Sequence, residues 1–258
     1  MINISNTSPS FASPILSACT FTAILWMIKL FEVVFGWDLL SLGVYPQQAS
    51  GLIGIITAPL IHGSWEHLAS NTLSVMLLGA ILLYGYPKSC WWTVALIWLL
   101  SGIGVWVFGR PSYHIGASGL THGVFFYLLI SGILRRDKLS AALLMVAFYM
   151  YGGMLMTILP REVGISFEYH LFGGLSGVLC AVLFRHWDPR LAEKTYAWEN
   201  ESDKDESTDK VEEDHSLIGD LWQQEPSAQA PLAQEQESLS SEQVPEGENR
   251  EQNLTTKD

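Results

Sequence analysis

Long apolar stretches separated by short polar loops dominate the first 190 residues of this chain. There are six of them, at residues 15–35, 67–86, 90–108, 116–134, 139–159 and 166–185. Each has about the twenty residues that an α-helix needs to cross the hydrocarbon core of a bilayer. Lipid offers the backbone no hydrogen-bond partners, so each stretch must bond internally as a helix. The pattern therefore predicts an all-α, polytopic membrane protein with six transmembrane helices.

The first stretch contains two charged residues, Lys29 and Glu32. Their i,i+3 spacing places them on one face of a helix, where they can pair near the outer end of the span. We expect this pair to be structural. The stretch is too long for a cleaved signal peptide and has too few positive charges before it, so we expect it to remain in the membrane.

Composition divides the chain into two parts. The sequence is 49% hydrophobic, yet its formal net charge is −12, from 14 basic and 26 acidic residues. Residues 191–258 hold 5 of the basic and 19 of the acidic residues, which leaves 9 basic and 7 acidic residues before them. So polar a segment buries too little apolar surface to offset the entropy of ordering it. We predict a short N-terminus (1–14), a membrane domain (15–186) and a disordered acidic tail (187–258), whose partner the sequence does not specify.

The basic residues predict the orientation of the membrane domain. Those after the second, fourth and sixth stretches are Lys88, Arg135, Arg136, Lys138, Arg185, Arg190 and Lys194. The loops on the opposite side contain only Arg110 and Arg161. Because Lys and Arg are enriched in cytoplasmic loops, both termini are predicted to be cytoplasmic.

With this orientation, the second, fourth and sixth stretches begin at the outer surface, and polar side chains stand at each beginning. His67 and Asn71 lie in the first residues of the second stretch. Ser118 lies in the first residues of the fourth stretch, and His170 in those of the sixth. At a rise of about 1.5 Å per residue, all four lie within about 10 Å of the outer interface, where water can reach them. Polar groups are expensive inside a membrane, so these residues form a candidate functional site.

The residue types at this depth suit acyl transfer by a serine nucleophile. A serine hydroxyl is a weak nucleophile, and an imidazole within hydrogen-bonding reach can take its proton and return it to the leaving amine. Small residues let two helices approach closely, which would bring Ser118 towards His170. The fourth and sixth stretches each carry a glycine pair at i,i+4, namely Gly119 with Gly123 and Gly173 with Gly177.

Donors for the oxyanion of acyl transfer are available at the same place. The backbone N–H of Ser118 supplies one, because the first amides of a helix have no partner within the helix. His67 and Asn71 are spaced i,i+4 and therefore lie on one helix face, from which both can point at a single oxygen.

Three motifs resemble those of the rhomboid family of intramembrane serine proteases. They are residues 62–71 (HGSWEHLASN), 116–119 (GASG) and 170–173 (HLFG), the last followed by Gly177. The resemblance covers about residues 50–186. It implies a six-helix bundle in which Ser118 and His170 form a catalytic dyad without an aspartate, and His67 and Asn71 help to form the oxyanion hole. It implies no cofactor, transmembrane helices of other proteins as substrates, and a bacterial plasma membrane as the location.

Several supporting positions come with this resemblance, among them Gly116. The loop after the first stretch, however, has Trp37-Asp38 where a Trp-Arg pair is common in the family. His122, one turn after the serine, stands where many relatives carry an aromatic residue that packs on the catalytic imidazole, and we expect its ring to stack there. His62 matches a family position that lines the site, although interfacial hydrogen bonding also explains a histidine there.

Two other functions fit parts of the pattern. A rhomboid-like protein that binds or traffics membrane proteins without cutting them would have the same spans, but it would not need both Ser118 and His170. A transporter lined by histidines would explain the imidazoles in the outer half of the membrane, since imidazoles bind transition metals, but acidic ligands are lacking. The sequence predicts no metal and no nucleic-acid partner.

Overall fold

The computed structural model describes residues 11–160 and 166–190 of the chain. By its internal contacts the chain divides into a unit of residues 1–193 and a second unit of residues 194–258. The second unit lies outside the described residues, as does nearly all of the acidic segment for which the sequence predicts disorder.

Helices account for most of the described residues. The helices are α1 (Ala12–Phe35), α2 (Gly54–Thr57), α3 (Trp65–Gly85), α4 (Cys90–Phe108), α5 (Ser118–Arg135), α6 (Lys138–Tyr151), α7 (Met154–Thr157) and α8 (Phe167–Phe184). Every apolar stretch of the sequence corresponds to a helix whose ends lie within a few residues of the predicted ones, except the fifth. That stretch breaks at Gly152 and Gly153, which separate α6 from the single turn of α7.

Within the described residues, four helices are long and apolar enough to cross a membrane: α1, α3, α4 and α8. Their outward faces leave large apolar side chains exposed, such as Leu16, Trp91 and Phe108, as lipid contact requires. These findings support a membrane protein built from helices. The count of six spans remains a prediction, because α5 is less apolar and α6 is only 14 residues long.

The lower apolarity of α5 follows from its position in the bundle. It packs against α3, α4, α6 and α8, with its most extensive contact on α8. Most of its residues are buried, including Thr121, His122 and Ser131. A helix enclosed by other helices touches little lipid, so polar side chains cost less there provided that they find hydrogen-bond partners.

Glycines allow α5 and α8 to touch backbone to backbone. A Cβ atom added to Gly173 would overlap the carbonyl oxygen of Gly119, and one added to Gly177 would overlap that of Gly123. The structure thus places the two glycine pairs of the sequence directly against each other. This contact fixes the first turn of α5 beside the first turn of α8.

A loop of short turns, residues 36–64, leads from α1 to α3 and holds the chain that precedes α5. It contains α2 and the 3-10 turns Leu40–Leu42, Ala49–Leu52 and Ala58–Leu60. The backbones of Val44 and His114 exchange two hydrogen bonds of 3.0 and 2.9 Å, and the N–H of Gly116 donates to the carbonyl of Ala58 at 2.9 Å. These bonds fix the segment before α5 to the loop, and so they fix where α5 begins.

The other end of α5 is fixed by the buried side chain of Arg135. Its guanidinium donates to Asp137 and Ser140, both at 3.0 Å. It also donates to the carbonyl oxygens of Asp188 and Pro189, at 3.1 and 3.2 Å. Asp188, which the sequence analysis assigns to the tail, is therefore packed on the helical bundle.

The Asp188 carboxylate continues this network towards the start of α4. It accepts hydrogen bonds from the backbone N–H of Lys88 at 2.7 Å and from the hydroxyl of Ser89 at 2.5 Å. Ser89 in turn contacts the hydroxyl of Tyr127 on α5 at 2.8 Å. One carboxylate thus joins the segment after α8 to the loop between α3 and α4.

Candidate active site

A pocket of about 770 Å³, lined in part by polar side chains, opens between the N-terminal ends of α3, α5 and α8. The side chains that concern its chemistry are His67, Asn71, Ser118, His122, Thr157 and His170. The first two come from α3, the next two from α5, Thr157 from the end of α7 and His170 from α8. The structure therefore brings together the four polar residues to which the sequence assigns one depth.

Ser118 is the first residue of α5 and follows a sharp turn at Gly116, whose φ is +107°. Only glycine adopts this conformation without strain. A Cβ atom on Gly116 would also lie 2.7 Å from the ring of His67, so glycine is required for space as well. The turn packs against that ring and presents the serine to the pocket.

His62 supports the same turn from behind the pocket. Its Nε2 accepts a hydrogen bond from the N–H of Ala117 at 3.4 Å, and its ring meets that of His67 edge to face with centroids 5.1 Å apart. Burial, with a smaller contribution from His67, lowers the pKa of His62 to about 4, so the ring stays neutral and keeps its acceptor. His62 does not line the pocket. Its role is to hold the turn.

His67 and Asn71 face the pocket from one side of α3. Ser64 is the N-cap of this helix, and its hydroxyl oxygen accepts a hydrogen bond from the N–H of His67 at 3.1 Å. One N–H of the Asn71 side-chain amide donates to the carbonyl oxygen of His67, at 2.9 Å. An amide NH₂ has two hydrogens, so a second donor remains on Asn71.

The imidazole of His170 is oriented through its Nδ1, which lies 3.0 Å from the carbonyl oxygen of Thr157. A carbonyl can only accept, so Nδ1 carries the proton and Nε2 keeps its lone pair. Within residues 11–160 and 166–190, neither this Nε2 nor the Oγ of Ser118 forms a hydrogen bond to the protein. The two groups line the same pocket, and such contacts are often long until a substrate is bound.

The ring of His122 stacks on that of His170, with centroids 3.9 Å apart and planes inclined by 7°. Both nitrogens of His122 are occupied: Nδ1 lies 2.7 Å from the carbonyl oxygen of Ser118, and Nε2 lies 2.7 Å from the hydroxyl of Thr157. His122 therefore has no nitrogen left to take the proton of the serine hydroxyl. The geometry assigns it to packing.

His114, four residues before α5 begins, is held by hydrogen bonds outside the pocket. Its Nδ1 lies 2.6 Å from the hydroxyl of Ser166, the N-cap of α8, and its Nε2 lies 3.1 Å from the carbonyl of Arg110. Burial lowers the pKa of His114, although the Arg110 carbonyl and Glu168 oppose the shift. It joins the loop before α5 to the start of α8.

The charged pair of α1 also supports the site from a distance. Lys29 and Glu32 form the expected ion pair at 3.0 Å. The ammonium of Lys29 also donates to the carbonyl of Gly63 at 3.3 Å, next to His62. The sequence spacing indicates the pair, but nothing in it indicates this second contact.

Sequence reasoning does not single out Thr157, although its carbonyl and hydroxyl each contact one of the two stacked histidines. The sequence gives only a weak indication that Thr157 belongs to the site. Thr157 lies near the C-terminal end of the fifth apolar stretch, which the predicted topology places at the depth of the other pocket residues, and it follows the glycines that break that stretch.

Comparisons with known proteins identify one family, through a family model and one named relative. A model of the Rhomboid domain matches residues 49–187. An uncharacterised protein of Mycobacterium tuberculosis is 36% identical over 173 residues, 64% of this chain and 72% of that protein. An uncharacterised protein of Mycobacterium leprae is 33% identical over 173 residues, 64% of this chain and 68% of the relative. A protein of Acanthamoeba polyphaga mimivirus that is named as a rhomboid protein is 27% identical over 143 residues, 52% of this chain and 77% of its own length.

Proposed function

This chain belongs to the rhomboid family, and from its pocket we propose that it is an intramembrane serine endopeptidase that cleaves transmembrane segments of other membrane proteins. One observation carries the proposal. Ser118 and His170, far apart in the sequence, line one pocket, and the His170 ring is held by Nδ1 so that its Nε2 lone pair is free. A binding protein would need neither the nucleophile nor the oriented base.

In this mechanism the Nε2 of His170 takes the proton of Ser118 as Oγ attacks the carbonyl carbon of the scissile peptide. The resulting imidazolium gives the proton to the leaving amine, and an acyl-enzyme forms. Water then attacks the ester, with His170 acting again as base and then acid. The Thr157 carbonyl stabilises the imidazolium through the Nδ1–H, the role that a carboxylate has in a triad.

The oxyanion of each tetrahedral intermediate is stabilised by donors at the same end of the bundle. These are the backbone N–H of Ser118 in the first turn of α5, the second N–H of the Asn71 amide, and His67. Donors that are fixed before the reaction stabilise developing charge without the cost of reorganising solvent. The tight turn at Gly116 and the cap at Ser64 keep them fixed.

We also propose a membrane topology with six spans. All six long helical segments cross the membrane, α6 together with α7 forming the fifth, and both termini are cytoplasmic. The pocket then lies near the outer face of a bacterial plasma membrane, where water reaches it.

Labelling with a fluorophosphonate probe tests the nucleophile directly. We expect the wild-type protein in detergent to be labelled covalently, because an activated serine attacks phosphorus, and we expect Ser118→Ala to abolish the label. Ser70→Ala is a matched control, since Ser70 also lines the pocket but its hydroxyl donates to the helix carbonyl of His67. An unlabelled wild-type protein that still binds transmembrane peptides would favour the non-cleaving alternative.

Asn71→Ala should lower kcat without eliminating cleavage. Loss of one oxyanion donor costs about 10²- to 10³-fold in a soluble serine protease, and two other donors remain here. The measurement is the rate of cleavage of a transmembrane substrate in proteoliposomes at saturating substrate. An unchanged rate would remove Asn71 from the oxyanion hole.

A further inference from the structure

Thr157 makes two hydrogen bonds in the pocket, one through its carbonyl oxygen and one through its hydroxyl, and the proposed mechanism involves only the first. Its carbonyl oxygen accepts from Nδ1 of His170 at 3.0 Å, while its hydroxyl lies 2.7 Å from Nε2 of His122. Those two rings are stacked with centroids 3.9 Å apart. A single residue from α7 therefore contacts both members of the stack, one through the backbone and the other through the side chain.

The direction of the hydroxyl bond follows from counting hydrogens. Nδ1 of His122 lies 2.7 Å from the carbonyl of Ser118, which can only accept, so this nitrogen carries a proton. If Nε2 also carried one, His122 would be a cation, buried and stacked on the ring that must itself become an imidazolium. Burying one imidazolium is already costly, and the charge that His170 acquires during the reaction would add repulsion between the two rings, which excludes that state. His122 is therefore neutral, and the hydroxyl of Thr157 donates to its Nε2.

The same hydroxyl lies 3.0 Å from the carbonyl of Met154, one turn earlier in α7. A hydroxyl has one hydrogen, so it cannot donate fully to both acceptors. A bond to Met154 alone would cap a short turn and would concern only local structure. The proton count at His122 favours donation to the imidazole.

Thr157 lies at the end of a short helix, where its contact with His122 joins that helix to α5. It ends a single helical turn that is separated from α6 by Gly152 and Gly153. No Cβ contact restricts Gly153, since nothing lies within 4 Å of that position. Met154 and Leu155 of the same turn pack against the hydrophobic core, and the two hydrogen bonds of Thr157 add direct contacts to the stacked rings.

We propose that Thr157 is a positioning residue for catalysis, whose hydroxyl holds His122 neutral and parallel to His170 while its carbonyl holds His170 itself. This inference rests on the proposed protease function and deepens it. Without the hydroxyl, Nε2 of a buried ring loses its donor, and the ring is free to turn or to take up a proton. Either change disturbs the surface on which the catalytic imidazolium is formed.

The central test compares Thr157→Val, which keeps shape and carbonyl but removes the hydroxyl, with Thr157→Ser, which keeps the hydroxyl. We expect Thr157→Val to lower kcat about five-fold with KM unchanged, the factor for one ordinary hydrogen bond, and Thr157→Ser to restore it. Thr20→Val is the matched control, because that hydroxyl bonds only a carbonyl within α1, at 2.8 Å, and we expect no change.

A double-mutant cycle separates positioning from a general structural effect. In a His122→Phe background there is no Nε2 to receive the hydroxyl, so Thr157→Val should have no further effect on kcat. An undiminished loss in that background, or wild-type kcat for Thr157→Val, would overturn the inference. A loss that Thr157→Ser fails to restore would also overturn it.

A spectroscopic measurement tests the inference even if no cleavage occurs. In ¹⁵N-histidine-labelled protein, with the His122 signals assigned by their disappearance in His122→Phe, the unprotonated nitrogen of His122 should show the shift of a hydrogen-bonded lone pair. Thr157→Val should move it to the shift of a free lone pair, and Thr157→Ser should return it. An unmoved signal contradicts the role of Thr157, whereas absence of cleavage and probe labelling in the wild type contradicts only the protease function.

Discussion

His170→Ala is expected to abolish measurable cleavage, lowering kcat roughly 10⁴-fold or more, whereas His122→Phe should retain a substantial fraction of wild-type activity. His122 cannot replace this base, because both of its ring nitrogens are already hydrogen-bonded, and His67 is assigned to the oxyanion hole. A phenyl ring, by contrast, preserves the stacked surface now provided by His122 at 3.9 Å. Cleavage of a transmembrane substrate in proteoliposomes measures both effects.

Folding must be compared in the same preparations, because both histidines are buried in the bundle. Thermal unfolding in detergent and elution as a single species should be similar for the two variants. If His122→Phe were inactive and His170→Ala active in equally folded protein, the base would be His122, and the interpretation of its two hydrogen bonds would be wrong.

Gly173→Ala is expected to destabilise the bundle by about 3 kcal/mol and to lower activity by at least about 10²-fold. The added Cβ overlaps the carbonyl oxygen of Gly119, a backbone atom that cannot move without shifting α5 against α8. His170 lies one turn before Gly173 on α8, so such a shift changes its distance from Ser118. Urea- or heat-induced unfolding and the cleavage rate measure the two effects.

Gly79→Ala is the control for that substitution. It makes the same change within a helix, but its Cβ would lie 3.6 Å from Cβ of Ala18, an ordinary contact. We expect unchanged activity and unchanged or slightly raised stability, since glycine is a poor helix former. Equal losses in Gly79→Ala and Gly173→Ala would show that the close contact between α5 and α8 is not the cause.

The sequence predicts the helices well because their signal is local. Twenty apolar residues in lipid have few alternatives to a helix, and the prediction holds even for the enclosed α5, whose Ser118 and His122 make it less apolar than a lipid-exposed span. The sequence does not predict the break in the fifth stretch between α6 and α7. Gly152 and Gly153 mark it in retrospect, but glycine is common in membrane helices and does not by itself end one.

For Ser118, His170 and Asn71, the residue type and the position in the apolar stretch are enough to predict that the side chains lie near one another. The supporting contacts were not predictable, because they join atoms that the sequence does not distinguish. The bond from Lys29 to the carbonyl of Gly63 and that from His170 to the carbonyl of Thr157 both end on backbone oxygens. Any residue offers such an oxygen, so only the fold selects the partner.

The anchoring of Asp188 decides where this protein can be shortened. A variant ending at Arg185 would keep every helix of the described residues and the whole candidate active site, yet it would leave the buried guanidinium of Arg135 without two of its acceptors. An unsatisfied buried cation costs several kcal/mol. A stable fragment must therefore extend past Pro189. Failure of a shorter one would report the lost hydrogen bonds of Arg135 at the C-terminal end of α5 and not a contribution of the acidic segment.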